Sequence, residues 1–191
     1  IPVLVERSSY ETHPLGRLEW IRLYGVLFGK EEQADAFYQE QAAKVEPIMK
    51  KDATDRTMAF FYVTSNGSVN VRKPGDYIAK MIQLAGGSYL PQAAKEEDEN
   101  ALSTMNMQME DFYAQAKDAD ILIYNSTIEG ELDSVDTLLA KSPLFADFKA
   151  VKEGKVFCTT ADFFQESTGI ASFIEDLHAV MTGDTSHELK Y

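Results

Sequence analysis

The sequence predicts an α/β domain in which helices flank a mostly parallel sheet. Three short apolar runs lack the polar alternation of half-exposed strands, as is typical of strands covered on both faces. These runs alternate with segments of helical periodicity, which is the pattern of a parallel α/β sheet. The length of 191 residues suits one domain or one large lobe. The three predicted strands are Thr57–Thr64, Asp120–Asn125 and Val156–Thr159.

Ahead of these strands the chain contains one short apolar run and one long helical segment. Ile1–Val5 is predicted to be a strand, although nothing precedes it to pair with. We therefore expect the sequence to be a piece of a longer protein, in which case it says nothing about an export signal. The helical segment begins at Pro14, a favoured first helical residue, and runs to about Lys51. Gly29 is expected to end or bend this helix, which restarts at Lys30-Glu31-Glu32, and Pro47 is expected to kink or end it.

The remaining elements follow from turn residues and apolar spacing. Ser65–Ser68 is predicted to be a turn, and Ala94–Asn100 an acidic loop. A helix is expected from about Tyr77 to Ala85, where Gly86-Gly87 ends it. Further helices are predicted over residues 110–117, 132–139, 143–151 and 169–181.

Composition excludes several classes of function. The formal net charge is −13, which argues against binding of nucleic acid and against docking of the domain itself on anionic lipid. Cys158 is the one cysteine, so an internal disulfide and a cysteine-rich zinc site are excluded. No apolar run approaches the roughly 20 residues that span a bilayer. The three histidines are widely spaced and predict no metal site.

In an open α/β sheet, ligands bind beyond the carboxyl ends of the strands, and this rule selects three loops. The loops supply hydroxyls, amides, an arginine and phenylalanines, with no nucleophile beside a base, so they predict binding and no catalytic residue. The predicted ligand-binding residues are Arg72, Asn125, Phe164 and Gln165, with Ser65 and Asn66 as weaker members.

Each main candidate has a structural alternative. Arg72 could grip an anionic oxygen group through two hydrogen bonds, or form a surface ion pair. Phe163 and Phe164 could stack on a flat ligand, but alternation predicts that one of them faces the core, and we assign Phe164 to the site. Asn125 could donate to a ligand or simply form a turn.

Four segments of the sequence together carry a resemblance to a known family: Pro14–Glu31, Arg72–Gly87, Ala116–Ile123 and Phe148–Phe157. In this order they resemble segments of the class III periplasmic binding proteins, the substrate-binding components of importers for iron-siderophore, haem and cobalamin. The first segment resembles the region around that family's interlobe helix. The second resembles the first helix of its carboxyl-terminal lobe, and the third and fourth resemble a helix-to-strand step and an Ala-Val-Lys-x-Gly-x-Val-Tyr segment.

The resemblance implies one Rossmann-like lobe of a bilobal binding protein, together with a long interlobe helix. Residues 1–13 would hold the last strand of a missing amino-terminal lobe, 14–52 the interlobe helix region, and 53–191 the carboxyl-terminal lobe. The ligand would be an iron-siderophore or similar metal chelate, haem or cobalamin, with no other cofactor. The lobe would deliver it to an ABC permease outside the cytoplasm, in the periplasm or held by a lipid anchor that this chain lacks.

The resemblance also implies an acidic residue that docks on arginines of the permease. Asp76 is the candidate, and Glu129 and Glu131 are weaker ones; the alternative for Asp76 is helix capping. Two other functions remain open. One is a chelatase-like α/β enzyme acting on a tetrapyrrole, and the other is a structural or sensory domain that uses its acidic surface for protein contacts.

Overall fold

The computed structural model describes residues 1, 3–92, 104–161, 163 and 167–191, which form a sheet with helices on both faces. The strands are β1 Thr57–Val63, β2 Val69–Arg72, β3 Ser88–Leu90, β4 Thr104–Met107, β5 Ile121–Tyr124 and β6 Val156–Cys158. The α-helices are α1 Pro14–Phe28, α2 Glu31–Met49, α3 Tyr77–Leu84, α4 Met109–Ala116, α5 Ser126–Glu129, α6 Val135–Lys141, α7 Lys149–Lys152 and α8 Ile170–Thr182. Short 3-10 helices cover Ser8–Tyr10, Pro143–Asp147 and Ser167–Gly169.

The central strand of the sheet is β1. On one side β1 pairs in parallel with β5, which in turn pairs in parallel with β6. On its other side, the first half of β1 pairs in parallel with β3. The second half of that side pairs antiparallel with β2, which pairs antiparallel with β4. The predicted α/β fold with a mostly parallel sheet is therefore confirmed, with an additional antiparallel hairpin that the sequence did not predict.

Alternation along β1 divides the core into two layers. Phe60 points to one face of the sheet, where it packs with residues of α2, α3 and α8. Phe61 points to the other face, where its ring lies 4.9 Å from that of Phe112 and 5.4 Å from that of Phe145. Both phenylalanines are 1% exposed, so β1 is covered on both faces, as its unbroken apolar sequence indicates.

The predicted helical segment divides at Gly29 into α1 and α2, in agreement with the end or bend expected at that residue. Gly29 adopts a left-handed conformation with φ of 62°, and the backbone N–H of Lys30 donates to the Gly25 carbonyl at 2.7 Å. This backbone geometry terminates a helix and favours glycine. A Cβ on Gly25 would lie 2.5 Å from the Cβ of Ala34, so α2 turns back and packs closely beside α1. Pro47 lies inside α2, near its end.

The strand predicted at Ile1–Val5 is not formed in the structure. Residues 1 and 3–7 have no regular secondary structure, because a strand requires a hydrogen-bonded neighbour and none of the described strands pairs with this segment. The acidic loop predicted at Ala94–Asn100 lies outside the described residues. The predicted helix at 132–139 begins later, at Val135, because the Ser134 side chain caps it by accepting from the N–H of Thr137.

Candidate functional site

The carboxyl ends of β1, β5 and β6 define one edge of the sheet, here called the carboxyl edge. The register aligns Val71, Phe61, Tyr124 and Cys158 in one row across four strands. Arg72 lies one residue from this row toward the amino ends of the parallel strands. The segments after Tyr124 and Cys158 lie just beyond the row toward the carboxyl ends. Because neighbouring strands are about 4.8 Å apart and residues advance about 3.3 Å along a strand, Arg72 lies about 12 Å from Asn125, the first residue after β5.

Arg72 belongs to a cluster of charged and aromatic side chains on one face of the carboxyl edge. Its Nη1 lies 3.8 Å from Oδ2 of Asp76, and its guanidinium carbon lies 5.8 Å from the centre of the Tyr77 ring. The guanidinium carbon of Arg17, from α1, lies 3.7 Å from the centre of the same ring. Two arginines therefore flank one tyrosine beside a single carboxylate.

Arg17 was not predicted from the sequence. It lies in α1 directly before the buried Leu18, and helical periodicity gives no reason to bring it close to a strand 55 residues later. Its Nη2 donates to the carbonyl of Ser9 at 2.9 Å, which helps to hold the guanidinium over the Tyr77 ring. Only the packing of α1 against the start of α3 brings the two arginines together.

Asp76 is placed differently from what its predicted docking role requires. Its side chain is 2% exposed, and Oδ1 accepts a hydrogen bond from the N–H of Ile78 at 2.9 Å, which caps α3. Burial raises the pKa of this carboxyl above its usual range, against the opposing effects of Arg72 and of the capping hydrogen bond. Because the carboxylate has almost no accessible surface, the capping alternative describes it, and we do not retain Asp76 as a docking residue.

Asn125 follows β5 at the carboxyl edge but is only 5% exposed. Its side-chain oxygen accepts from the Thr127 hydroxyl at 2.7 Å and caps the short α5. Next to it, the N–H of Ser126 donates to Oγ1 of Thr159 at 3.1 Å, and this bond joins the loops after β5 and β6. Asn125 therefore holds the start of α5 in place at the carboxyl edge, and its side-chain oxygen already accepts a hydrogen bond.

Ser65 and Asn66 form the tip of the hairpin between β1 and β2. The side-chain oxygen of Asn66 accepts from the Ser68 N–H at 3.1 Å and from the Thr64 hydroxyl. The tip lies four residues beyond the aligned row, so it projects about 13 Å past the ends of β5 and β6. The structure thus separates these two residues from Arg72, which lies at the other end of β2.

The loop after β6 is described only in part. Phe163 packs on the core, with its ring 4.4 Å from that of Phe173 and 6.2 Å from that of Phe60. This confirms that one of the two phenylalanines faces the core. Phe164 and Gln165 lie outside the described residues, so their assignment to the site stays a prediction.

Metal-ligating side chains do not gather at this edge within the described part of the chain. No group of three or more histidine, cysteine, aspartate or glutamate side chains there is close enough to hold an ion. Burial raises the pKa of the Cys158 thiol, which accepts a hydrogen bond from the Leu132 N–H at 3.4 Å, as expected for an inert strand cysteine. None of the described helices combines the length and apolarity required to cross a membrane.

Curated relatives come from the archaeon Methanocaldococcus jannaschii. An uncharacterised lipoprotein of that organism is 27% identical over 168 residues, which cover 86% of this chain and 38% of the relative. A second uncharacterised lipoprotein is 25% identical over 188 residues, covering 93% of this chain and 46% of the relative. The chain therefore spans less than half the length of these two relatives.

Solved structures with the same fold are longer as well. An Fe3+-hydroxamate transport protein from Saccharomonospora viridis superposes with a TM-score of 0.70 at 19% identity, over 88% of this chain and 56% of that one. The haem complex of IsdE from S. aureus superposes with a TM-score of 0.66 at 16% identity, over 88% of this chain and 65% of that one. At such low identity these similarities establish the fold alone. The family described as periplasmic binding protein matches residues 1–163, which is most of the sequence, and the chain belongs to that family.

Proposed function

We propose that this chain is the carboxyl-terminal lobe, with the adjoining helices, of the substrate-binding component of an ABC importer. Its substrate is an iron-siderophore or a similar metal chelate, which binds at the carboxyl edge and is released to a membrane permease. Membership of the periplasmic binding protein family over residues 1–163 supports this proposal. The names of structural neighbours, which include a hydroxamate transport protein and a haem complex, support the substrate class.

The observation that carries the ligand site is the pair of arginines around Tyr77. Arg17 and Arg72 place two positive charges beside one buried carboxylate, in a chain whose formal net charge is −13. A guanidinium binds carboxylate, catecholate or hydroxamate oxygens through parallel hydrogen bonds, and it keeps its charge at any physiological pH. The carboxyl edge thus offers a local positive field for an anionic chelate on an otherwise acidic surface.

In this proposal the other predicted residues contribute to ligand binding in different ways. Phe164 and Gln165 contact the ligand from the loop after β6. Asn125 acts mainly by holding that part of the edge in place, since its oxygen caps α5. Ser65 and Asn66 lie on the projecting hairpin tip, where they reach only a ligand that extends beyond the sheet.

For docking on the permease we propose Glu129 in place of Asp76. Glu129 is exposed at the end of α5, directly after the strand β5 that reaches the carboxyl edge. Glu131 is also exposed, but its Oε1 accepts from the N–H of Ala161 at 2.9 Å. Two curated relatives are named lipoproteins, which supports a location outside the cytoplasm on a lipid anchor.

The test uses Trp20, the one tryptophan of the chain, which lies in α1 close to Arg17. The 191-residue chain is titrated with a ferric catecholate, a ferric hydroxamate and haem, and tryptophan quenching is followed together with amide NMR shifts. We expect at least one chelate to quench Trp20 and to shift amides of the carboxyl edge. Arg72→Ala and Arg17→Ala should each weaken that binding by about ten- to hundredfold, as loss of a charged hydrogen bond predicts.

The matched control is Arg56→Ala, which removes the same charge at the opposite end of the sheet and should leave the affinity unchanged. The proposed site is wrong if no chelate perturbs the carboxyl edge. It is also wrong if Arg72→Ala and Arg56→Ala have equal effects.

A further inference from the structure

A cavity of about 280 Å3 lies at the amino edge of the sheet, the edge formed by the starts of β1 and β6. The β1 strand spans about 20 Å, so this cavity is far from the carboxyl edge and from the site proposed above. Its inner wall is apolar and includes Phe157, Val180 and Leu189. Arg56 and Lys155 line it where β1 and β6 begin.

One wall of the cavity is built by residues 183–191, here called the carboxyl-terminal strap. The strap is fastened by Asp176, a carboxylate of α8 that is only 4% exposed. Asp176 accepts from Nε2 of His187 at 2.7 Å, from the N–H of Lys190 at 2.9 Å and from the N–H of Tyr191 at 3.0 Å. Because three hydrogen bonds to a buried group hold the strap, the cavity is formed in the absence of a ligand.

Among the charged residues that the structure describes around the cavity, the cation Arg56 and the carboxylate Asp184 are those without an ion pair. Nζ of Lys155 lies 3.0 Å from Glu153, and His187 is paired with Asp176. Asp184 accepts from the N–H and the hydroxyl of Ser186, at 3.0 Å and 2.6 Å. Arg56 lines the cavity and forms no ion pair with any residue that the structure describes.

We propose that this cavity binds a small monocarboxylate with an apolar body, whose carboxylate pairs with Arg56. The apolar wall would bury the hydrocarbon part, and a guanidinium is well suited to hold the carboxylate through two hydrogen bonds. A dry cavity of about 150 Å3 holds a benzene molecule, so this volume suits an acid of roughly six to nine carbons. This site would be separate from the chelate site at the carboxyl edge, and neither proposal depends on the other.

The test measures binding of octanoate to the 191-residue chain by calorimetry and by amide NMR shifts. We expect shifts in the strap, at the end of α8 and at the start of β6. Arg56→Gln should weaken octanoate binding by about ten- to hundredfold, while binding of the neutral 1-octanol should change little. Val180→Trp, which fills the cavity, should abolish binding of both compounds.

Arg72→Gln serves as the matched control, because it removes an arginine at the carboxyl edge and should leave octanoate binding unchanged. Circular dichroism verifies that each variant is folded. Absence of octanoate binding to the parent chain would overturn the proposal. So would equal affinity in Arg56→Gln, or loss of affinity in Arg72→Gln.

Discussion

Asp120 joins the starts of two parallel strands, and its replacement by asparagine should lower stability in a pH-dependent way. Its Oδ2 accepts from the N–H of Thr57 at 2.8 Å and from the Thr57 hydroxyl at 3.0 Å. Its Oδ1 accepts from Nζ of Lys149 at 2.6 Å. Asparagine keeps an oxygen for the Thr57 amide but loses the charge that attracts Lys149.

The expected loss of unfolding free energy follows from the pKa of the Asp120 carboxyl. Burial would raise that pKa, but the hydrogen bonds from Lys149 and Thr57 outweigh burial and lower it from 3.8 to about 2. A displacement of nearly two pH units corresponds to about 2.5 kcal/mol as an upper value. Because the Lys149 side chain is 43% exposed, solvent screens part of this energy, and we expect about 1–2 kcal/mol.

The direction of the pH dependence follows from the depressed pKa. The stabilisation by Asp120 is fully present above about pH 4, where the carboxyl is ionised in both folded and unfolded chains. It decreases as the pH falls from about 4 to 2, where the folded carboxyl becomes protonated. The free energy of unfolding of the parent chain and of Asp120→Asn should therefore differ at pH 6 and converge toward pH 2.

The assay is urea unfolding at a series of pH values, followed by circular dichroism. The control is Asp147→Asn, since Asp147 forms a 3.2 Å ion pair with Lys152 in which both side chains are more than half exposed. That variant should lose less than about 0.5 kcal/mol. The reasoning would be refuted if Asp120→Asn had no larger effect than Asp147→Asn, or if its effect were the same at every pH.

Three further substitutions, the first with a matched control, test the packing, the strap and the capping described above. Gly25→Ala should destabilise the chain by about 1–3 kcal/mol in thermal unfolding, because the new methyl group would lie 2.5 Å from a carbon of α2. Gly16→Ala, where the nearest atom is 3.4 Å away, should be neutral or stabilising, and an equal loss in both variants would contradict this account. Asp176→Ala should increase hydrogen exchange of the last two backbone amides of the strap, and unchanged protection there would contradict the role assigned to this carboxylate. Asp76→Ala should cost about 1–2 kcal/mol through loss of the α3 cap, and a negligible loss of stability would exclude that role.

Elements with a uniform apolar or helical pattern could be predicted from the sequence, whereas short strands without such a pattern could not. The apolar run at β1 and the helix α8 agree with their predicted positions within one or two residues. The strands β2, β3 and β4 were missed because they lack the unbroken apolar runs that predict β5 and β6, although all five strands have only three or four residues. For β2 a signal existed, since Val69 and Val71 alternate with polar residues directly after a turn.

The candidate site likewise combines features that the sequence can predict with features that only the structure shows. The rule on carboxyl ends of strands could select Arg72 and Asn125 as candidates, since it depends only on the order of strands and helices. It could not show that the Asn125 oxygen caps a helix, that Asp76 is buried, or that Arg17 stacks on Tyr77. These facts depend on which side chains lie next to one another in space.

By itself, the sequence determined the α/β class, the covered central strand and the acidic surface, because periodicity, turn residues and charge are local properties of the chain. Only the tertiary structure decided that the predicted long helix folds back at Gly29 and brings a second arginine to the carboxyl edge. Only the tertiary structure, again, formed a cavity beneath the carboxyl-terminal strap. The physical reason is that charge pairing, burial and cavity volume depend on contacts between residues far apart in the sequence, and such contacts leave no periodic signal along the chain.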